Sequence, residues 1–583
     1  MAKVVLIDLK NYSNSEIEIE LINPLIPVSL PLQSILAKKI KNQNFIIVSK
    51  GILGGRNGVG LSDALITGIS PQSGGLIEAK IQGALANTLH SLKIDALAFV
   101  NKSKELVGVE IIRGQFLEFN FLDARRLAGK SVWRTTEIVR APKTLSVLAI
   151  SGYGEKQVPA ASIVSDNGFA SSQGGIGAIF GRMNLKYVNL IGDKDTSISP
   201  SISKVTEEYI KGLPNNPLTK SELEPPGFGL WANKSLVGYM AGNNFGQNLP
   251  VIVEKFNPNS FLPYLKNDGM NTCPGCPQNC LKSYLVSDGP IDGGRQHQLS
   301  ITAFLSQYGE GKTEQLIEFN SFCHEFGLEH IYIVALLIQE KIKPLKSIKK
   351  MVEQVAEKRL KKQTHSIKGM AIPPWDARGN QGLFLAMALN PSGPRYDVIE
   401  HDIDFDPNWA WQRHVEYGYE FGIPTGGLSL GTLNKDREKS IGDLWLLWSA
   451  LDALGVCIYA APPTRELRSS DILNLVRAET KSEFDLKSLF NLGLVRLAIQ
   501  RDINFRLGLR NKDDNLPEIF FKQKISAKGA ILDKAIVKRK EFNQMKKAII
   551  KRLRWTPNGG VDKTSKVWQE CLLEIKKLES MLG

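Results

Sequence analysis

The sequence predicts an α+β protein: a β-rich N-terminal domain over residues 1–205, then two mainly α-helical domains over 206–380 and 381–583. Up to about Lys204, short β-branched runs recur between turn residues: KVVLIDL, NFIIVSKG, DALAFVNK, VGVEII, LSVLAISG and YVNLIGD. Period-two runs bounded by glycine, asparagine and aspartate are strand signals. Beyond Ser201 the longer segments EQLIEFNSFCHEFGL, HIYIVALLIQEKI and DLWLLWSALDALGV carry helical spacing. The glycine- and proline-bearing stretch KGMAIPPWDARGNQG, Lys368 to Gly382, predicts a long loop between the helical halves. Strands first and helices afterwards is the α+β order. At 583 residues the chain exceeds the roughly 250–300 at which single cores stop growing, so several domains are expected.

Composition narrows the class. Apolar content of 43% with 23% charged residues is that of a folded globular protein, not a disordered or fibrous one. MAKVVLIDLKNYSNSE has no signal-peptide pattern, and apolar runs such as Ile331 to Gln339 fall well short of the roughly 20 residues that span a bilayer. A cytoplasmic protein without membrane attachment is expected. The net charge of +14 admits nucleic acid, a membrane surface or an acidic protein partner. Much of the excess lies in Lys341 to Lys362 and in KAIVKRKEFNQMKKAIIKRLRW. Both have largely helical spacing and neither interleaves aromatics for base stacking, so solvated helix faces come first, an acidic electron carrier next, and nucleic acid is disfavoured.

Six cysteines are too few for a disulfide scaffold, yet three crowd into NTCPGCPQNCLK as Cys273, Cys276 and Cys280. In this CxxCxxxC spacing three thiolates can converge on one face of an iron–sulfur cluster while the turn presents amide N–H groups to the sulfurs. Zinc is the rival, but its sites usually come as two paired knuckles and no second one is present. A fourth ligand must be Cys323, Cys457 or Cys571. Cys571, in WQECLLEIKK, reads as a core-facing helical residue. Cys323 and Cys457 each stand near a glycine that ends a predicted helix, and the residues alone do not choose between them.

With these segments in view, the chain resembles the aldehyde ferredoxin oxidoreductase family, whose members carry a 4Fe-4S cluster beside a tungsten or molybdenum bis-pterin. The family completes its cysteine triplet from a DxxGxC motif; Asp452, Gly455 and Cys457 match it in DALGVC, so the resemblance implies Cys457 as the fourth ligand. Its other carriers are ISPQSGGLIEAKIQG, SSQGGIGAIFGRMNLK, KGMAIPPWDARGNQG and LFNLGLVRLAIQRDINFRLGLRNKDDNLPE, in family order. The resemblance implies oxidation of an aldehyde to a carboxylic acid at the pterin metal, with electrons leaving singly through the cluster to ferredoxin or a similar acidic carrier. It is open to a homo-oligomer. For the pterins, and a magnesium bridging their phosphates, it implies contacts from Lys80, Gln173, Gly174, Gly175 and Gly177. It adds His324, Gly327 and Glu329 in HEFGLEH, the first of the family's two pterin motifs, and Asp452 and Gly455 in the second, DALGVC. Physically, a glycine-rich run before a helix exposes amides to phosphate, and an acid such as Asp452 can accept hydrogen bonds from pterin nitrogens.

Several positions depart from the family. Gln173 stands for an arginine, Lys80 for an asparagine, Gln82 for a glycine, and Asp63 for an arginine that would bridge cluster and pterin. His324 replaces an acid. Near the catalytic glutamate and histidine the chain offers Gln298 and the segment of Arg395, Tyr396 and His401. Gln298 cannot act as a base, which leaves Tyr396, His297 or His401 to move protons. Arg395 suits a carboxylate, or an internal pair with Asp397 or Glu400. These departures motivate an alternative, an iron–sulfur electron-transfer subunit or scaffold of the same family that has lost the pterin.

Overall fold

The computed structural model describes residues 1–40, 44–166, 168–228, 241–242, 245–248, 257–268, 272–286, 304–305, 312–343, 346–361, 365–406, 411–426, 431–525 and 532–582. Twelve strands in the first 191 residues form two sheets. The first contains β1 (Ala2–Asp8), β2 (Ser13–Ile19), β3 (Phe45–Lys50), β4 (Ala64–Ile69), β5 (Leu76–Ile81) and β6 (Ala96–Val100), ordered β2-β1-β6-β3-β4-β5. Only β1 and β6 pair in parallel. The second contains β7 (Val107–Arg113), β8 (Leu117–Asp123), β9 (Thr144–Ala149), β10 (Val164–Ser165), β11 (Phe169–Ala170) and β12 (Leu185–Ile191), ordered β11-β10-β9-β12-β7-β8.

The alternation of side chains explains how these sheets are used. In β3, Ile46 and Val48 join a core shared with Val109, Ile111, Leu148 and Val188 of the second sheet. Phe45 and Ile47 point the other way, into the large core of the helical region. The first sheet is thus covered on both faces, which is why β3, β4 and β5 are buried throughout. Strand β8, at an edge, alternates between buried and exposed until it is open to solvent.

The helical region follows. Its axis is the pair Arg437–Leu454 and Leu486–Arg506, packed so closely that a Cβ on Gly493 would lie 2.0 Å from the Leu446 carbonyl oxygen. The predicted helices are present at Thr313–Glu325, His330–Gln339 and Arg437–Leu454. The predicted long loop after Lys368 carries more order than expected. Lys368 and Gly369, both with positive φ, turn a small hairpin between Ser366–Ile367 and Met370–Ala371. The basic stretches differ from expectation too. The C-terminal one forms a helix, Arg539–Arg552, but among the described residues of Lys341 to Lys362 only Ile348–Glu353 is helical. The Ser347 hydroxyl caps the start of that helix by accepting from the Lys350 amide. Among the described residues no helix is long and apolar enough to cross a membrane.

Candidate functional site

Strand β3 ends at Lys50, and the loop from Gly51 to Leu61 makes backbone-to-backbone contact with the end of the Arg437–Leu454 helix. The Leu53 amide donates to the Leu454 carbonyl at 2.8 Å. Gly455 terminates that helix at φ +79°, and a Cβ on Gly51 would stand 2.2 Å from its amide nitrogen. Cys457 follows two residues later. Its amide donates to the Gly60 carbonyl at 2.7 Å, while the Gly60 amide approaches the Cys276 sulfur at 3.5 Å. One glycine therefore holds the DxxGxC segment and the cysteine triplet together, and at φ +67° with Ala460 2.6 Å from its Cβ position it has no room for a side chain.

The triplet is a tight turn. The Cys276 amide donates to the Cys273 carbonyl at 3.1 Å, and Gly275, at φ +70°, abuts the backbone of Asn57 and Gly58. Gln278 anchors it, accepting from the Tyr209 hydroxyl at 2.9 Å and donating to the Thr219 carbonyl at 3.0 Å. Cys273, Cys276, Cys280 and Cys457 are all half-buried. Burial pushes the Cys280 and Cys457 thiols well above their ordinary range, and both also feel the charge of Cys273. Four thiols thus share one locality, although among the described residues no three His, Cys, Asp or Glu side chains converge on the position of a single ion. Cys323 and Cys571 are elsewhere, each fully buried in a helix.

Behind Cys457 lies a buried lattice of charge. Lys80 on β5 meets Asp452 at 2.5 Å and Asp397 at 3.0 Å, with Asp63 at 3.9 Å. Arg395 holds both oxygens of Asp397 at 2.8 Å and reaches Asp452 at 3.1 Å. Arg496, on the Leu486–Arg506 helix, pairs with Glu78 and with Asp452 at 2.9 Å. The Glu78 carboxylate also accepts from Gln33 at 2.9 Å. Burial alone would lower the Lys80 ammonium, but Asp397 and Asp452 drive it far up. Burial likewise works against the Asp452 carboxylate, and Lys80, Arg395 and Arg496 together bring it below the usual range. Asp63 is the exception, pushed up to about 6 by burial against the pull of Lys80.

The HEFGLEH segment meets the glycine loop. Glu329 accepts from the Gly175 amide and from Gln72 at 2.8 Å, and burial pushes its carboxyl up to about 7. The Gly177 amide is used by the Ala161 carbonyl at 2.9 Å, and Gly327 receives Ser162 at 2.8 Å. Gly174 lies against Ile77, where a Cβ would be 2.3 Å from the side chain. Gln173 donates to the Ser392 carbonyl at 3.4 Å. Gln173, His324, Glu329 and Tyr396 line one cavity of about 80 Å³ with Gln82 and Tyr332. His401 turns aside, its Nε2 2.9 Å from the Tyr396 carbonyl and its ring against Trp375. Gln298 and His297 lie outside the described residues. Sequence reasoning named Asp397 as a partner for Arg395 but gave no role to Glu78, Arg496 or Gly60. Arg496 lies inside the quoted segment LFNLGLVRLAIQRDINFRLGLRNKDDNLPE, set between apolar residues in GLVRLAI, and that was the signal available.

The described residues test the fit of a bis-pterin poorly met. The two acids that the resemblance turns toward pterin nitrogens, Glu329 and Asp452, already accept from this chain's own amides and cations, and the glycine-loop amide that would face phosphate is taken by Glu329.

Two layered sheets carrying glycine-rich loops, a helical region behind them and a four-cysteine locality fit an oxidoreductase of the aldehyde ferredoxin oxidoreductase type. The model of the aldehyde ferredoxin oxidoreductase N-terminal domain matches residues 30–192, and that of domains 2 and 3 matches residues 346–567. The chain belongs to the aldehyde ferredoxin oxidoreductase family. It is 23% identical over 530 residues to the tungsten-containing aldehyde ferredoxin oxidoreductase of Pyrococcus furiosus, covering 82% of this chain and 83% of that one. The enzyme of the same name from Thermococcus kodakarensis is 23% identical over 537 residues, with the same coverage. Among solved structures, the active site complex BamBC of benzoyl coenzyme A reductase in complex with 1,5-dienoyl-CoA superposes with a TM-score of 0.76 at 17% identity. That match covers 100% of this chain and 99% of the other, and it establishes shared fold.

Proposed function

We propose that this chain is a cytoplasmic redox protein that passes electrons one at a time through a 4Fe-4S cluster held by Cys273, Cys276, Cys280 and Cys457. The observation that carries the reading is Gly60, whose amide and carbonyl address Cys276 and Cys457 together. Buried thiols ionise only against positive charge, which the irons of a cluster supply when bound; the chain's own part is to hold the sulfurs and donate amides to them. An acidic carrier such as ferredoxin suits the net charge of +14.

A second reading is the complete family reaction, aldehyde to carboxylic acid at a tungsten or molybdenum pterin. It is favoured by relatives named as tungsten-containing that align over 82% of the chain. For the first reading the test is anaerobic purification with iron, sulfide and zinc determined per chain. About four irons with matching sulfide are expected; stoichiometric zinc without iron would overturn it.

A further inference from the structure

We propose that Lys80, Arg395 and Arg496 occupy the ground that family resemblance gives to the second pterin and its phosphates, so that this chain folds without a bis-pterin. The inference goes beyond the cluster reading and does not depend on it.

Charge is the first argument. Three cations in the lattice face four carboxyls, Asp63, Glu78, Asp397 and Asp452, so no positive charge is left over for a phosphate. A phosphate brought beside Asp397 and Asp63 would meet like charge in a place that water does not screen. To release Asp452 for a pterin ring, Lys80 would have to leave it, and both are almost fully covered, at 3% and 6% side-chain exposure. Removing one member of a buried ionic set leaves the others uncompensated.

Space and hydrogen bonding supply two independent arguments. At the first motif the cavity between Gln173, His324, Glu329 and Tyr396 is about 80 Å³, against the roughly 300–1,000 Å³ of ordinary small-molecule sites. The Gly175 amide, the group a phosphate would seek, is already bound to the Glu329 carboxylate. The helix it opens, Ile176–Arg182, has only seven residues and ends against β12, so it brings little dipole to compensate.

The test uses the full chain, produced anaerobically with tungstate and molybdate in a host shown in parallel to load the Pyrococcus furiosus relative. Tungsten, molybdenum and iron are counted per chain, and an acid-oxidised extract is read for pterin fluorescence. The expected result is iron near four atoms per chain, with tungsten and molybdenum below about a tenth of an atom and no pterin fluorescence. Tungsten or molybdenum approaching one per chain with pterin fluorescence would overturn the inference and leave the cluster reading standing. Loss of iron alone would do the reverse. A second readout is the Lys80→Met variant. A structural lattice predicts a thermal midpoint lowered by several degrees in protein free of pterin, and an unchanged midpoint would count against it.

Discussion

The cysteine locality and the two pterin motifs lie side by side, yet this chain treats them in opposite ways. Around the cysteines the backbone does the positioning: Gly60, Gly275 and Gly455 adopt left-handed φ so that loops can approach one another, and the Gly60 amide donates to the Cys276 sulfur. Around the motifs the side chains do it, and they bind one another, with Asp452 held by three cations and Glu329 by two donors. A site closed on itself satisfies its donors and acceptors internally, and Asp452 and Glu329 meet that criterion through their own chain's cations and amides.

The largest break in this comparison comes from the thiols. Cys457→Ser is expected to abolish the cluster, with visible absorption lost and iron falling well below four per chain. Cys323→Ser should leave both unchanged, because that thiol is fully buried between apolar neighbours of the helical core. The opposite outcome would reassign the fourth ligand.

Arg496→Met sharpens the other half. It leaves Glu78, which is fully buried, with Gln33 as its remaining partner, and takes one of three cations from Asp452. Breaking a buried ionic set in this way costs about 3–5 kcal/mol, read as a shift of the denaturant midpoint at constant slope. The exposed pair Lys38–Glu579 is the control, and Lys38→Met should leave the midpoint within error. Equal effects from the two variants would mean that the lattice is not the structural element described here.

Much of this contrast was legible in the residues, but unevenly. The strands of the first 191 residues show because a sheet covered on both faces needs continuous β-branched runs, as in Ile46 to Val48. The cysteine triplet shows because ligand spacing is local. The lattice was not legible as one unit, since Lys80 lies more than three hundred positions from Arg395, Asp452 and Arg496, and the residues read singly pointed Lys80 and Asp452 at a pterin and gave Arg496 no role. Only the pairing of β4 with β5, Leu65 opposite Lys80, and the packing of the Leu486–Arg506 helix behind them bring those charges into one interior. Of the largely helical spacing read in Lys341 to Lys362, the described residues carry one short helix, Ile348–Glu353.

The smallest expected effect concerns Glu329 and depends on pH. Its carboxyl ordinarily titrates near 4.5 and is raised to about 7 by burial, with the Gly175 and Gln72 donors opposing. The folded chain therefore holds a proton that the unfolded chain releases between those values. Stability from this group is complete below about 4.5, declines as pH rises, and is gone above about 7, a change of at most about 3 kcal/mol. Glu329→Gln should flatten that part of the profile, measured as unfolding free energy from pH 4.5 to 8. The amide keeps the shape and an acceptor for the Gly175 N–H, so the difference between the two curves isolates the proton. If the wild-type curve instead rises through this window and the variant removes the rise, Glu329 is ionised in the folded chain, its donors outweigh its burial, and the first motif is less closed than the second.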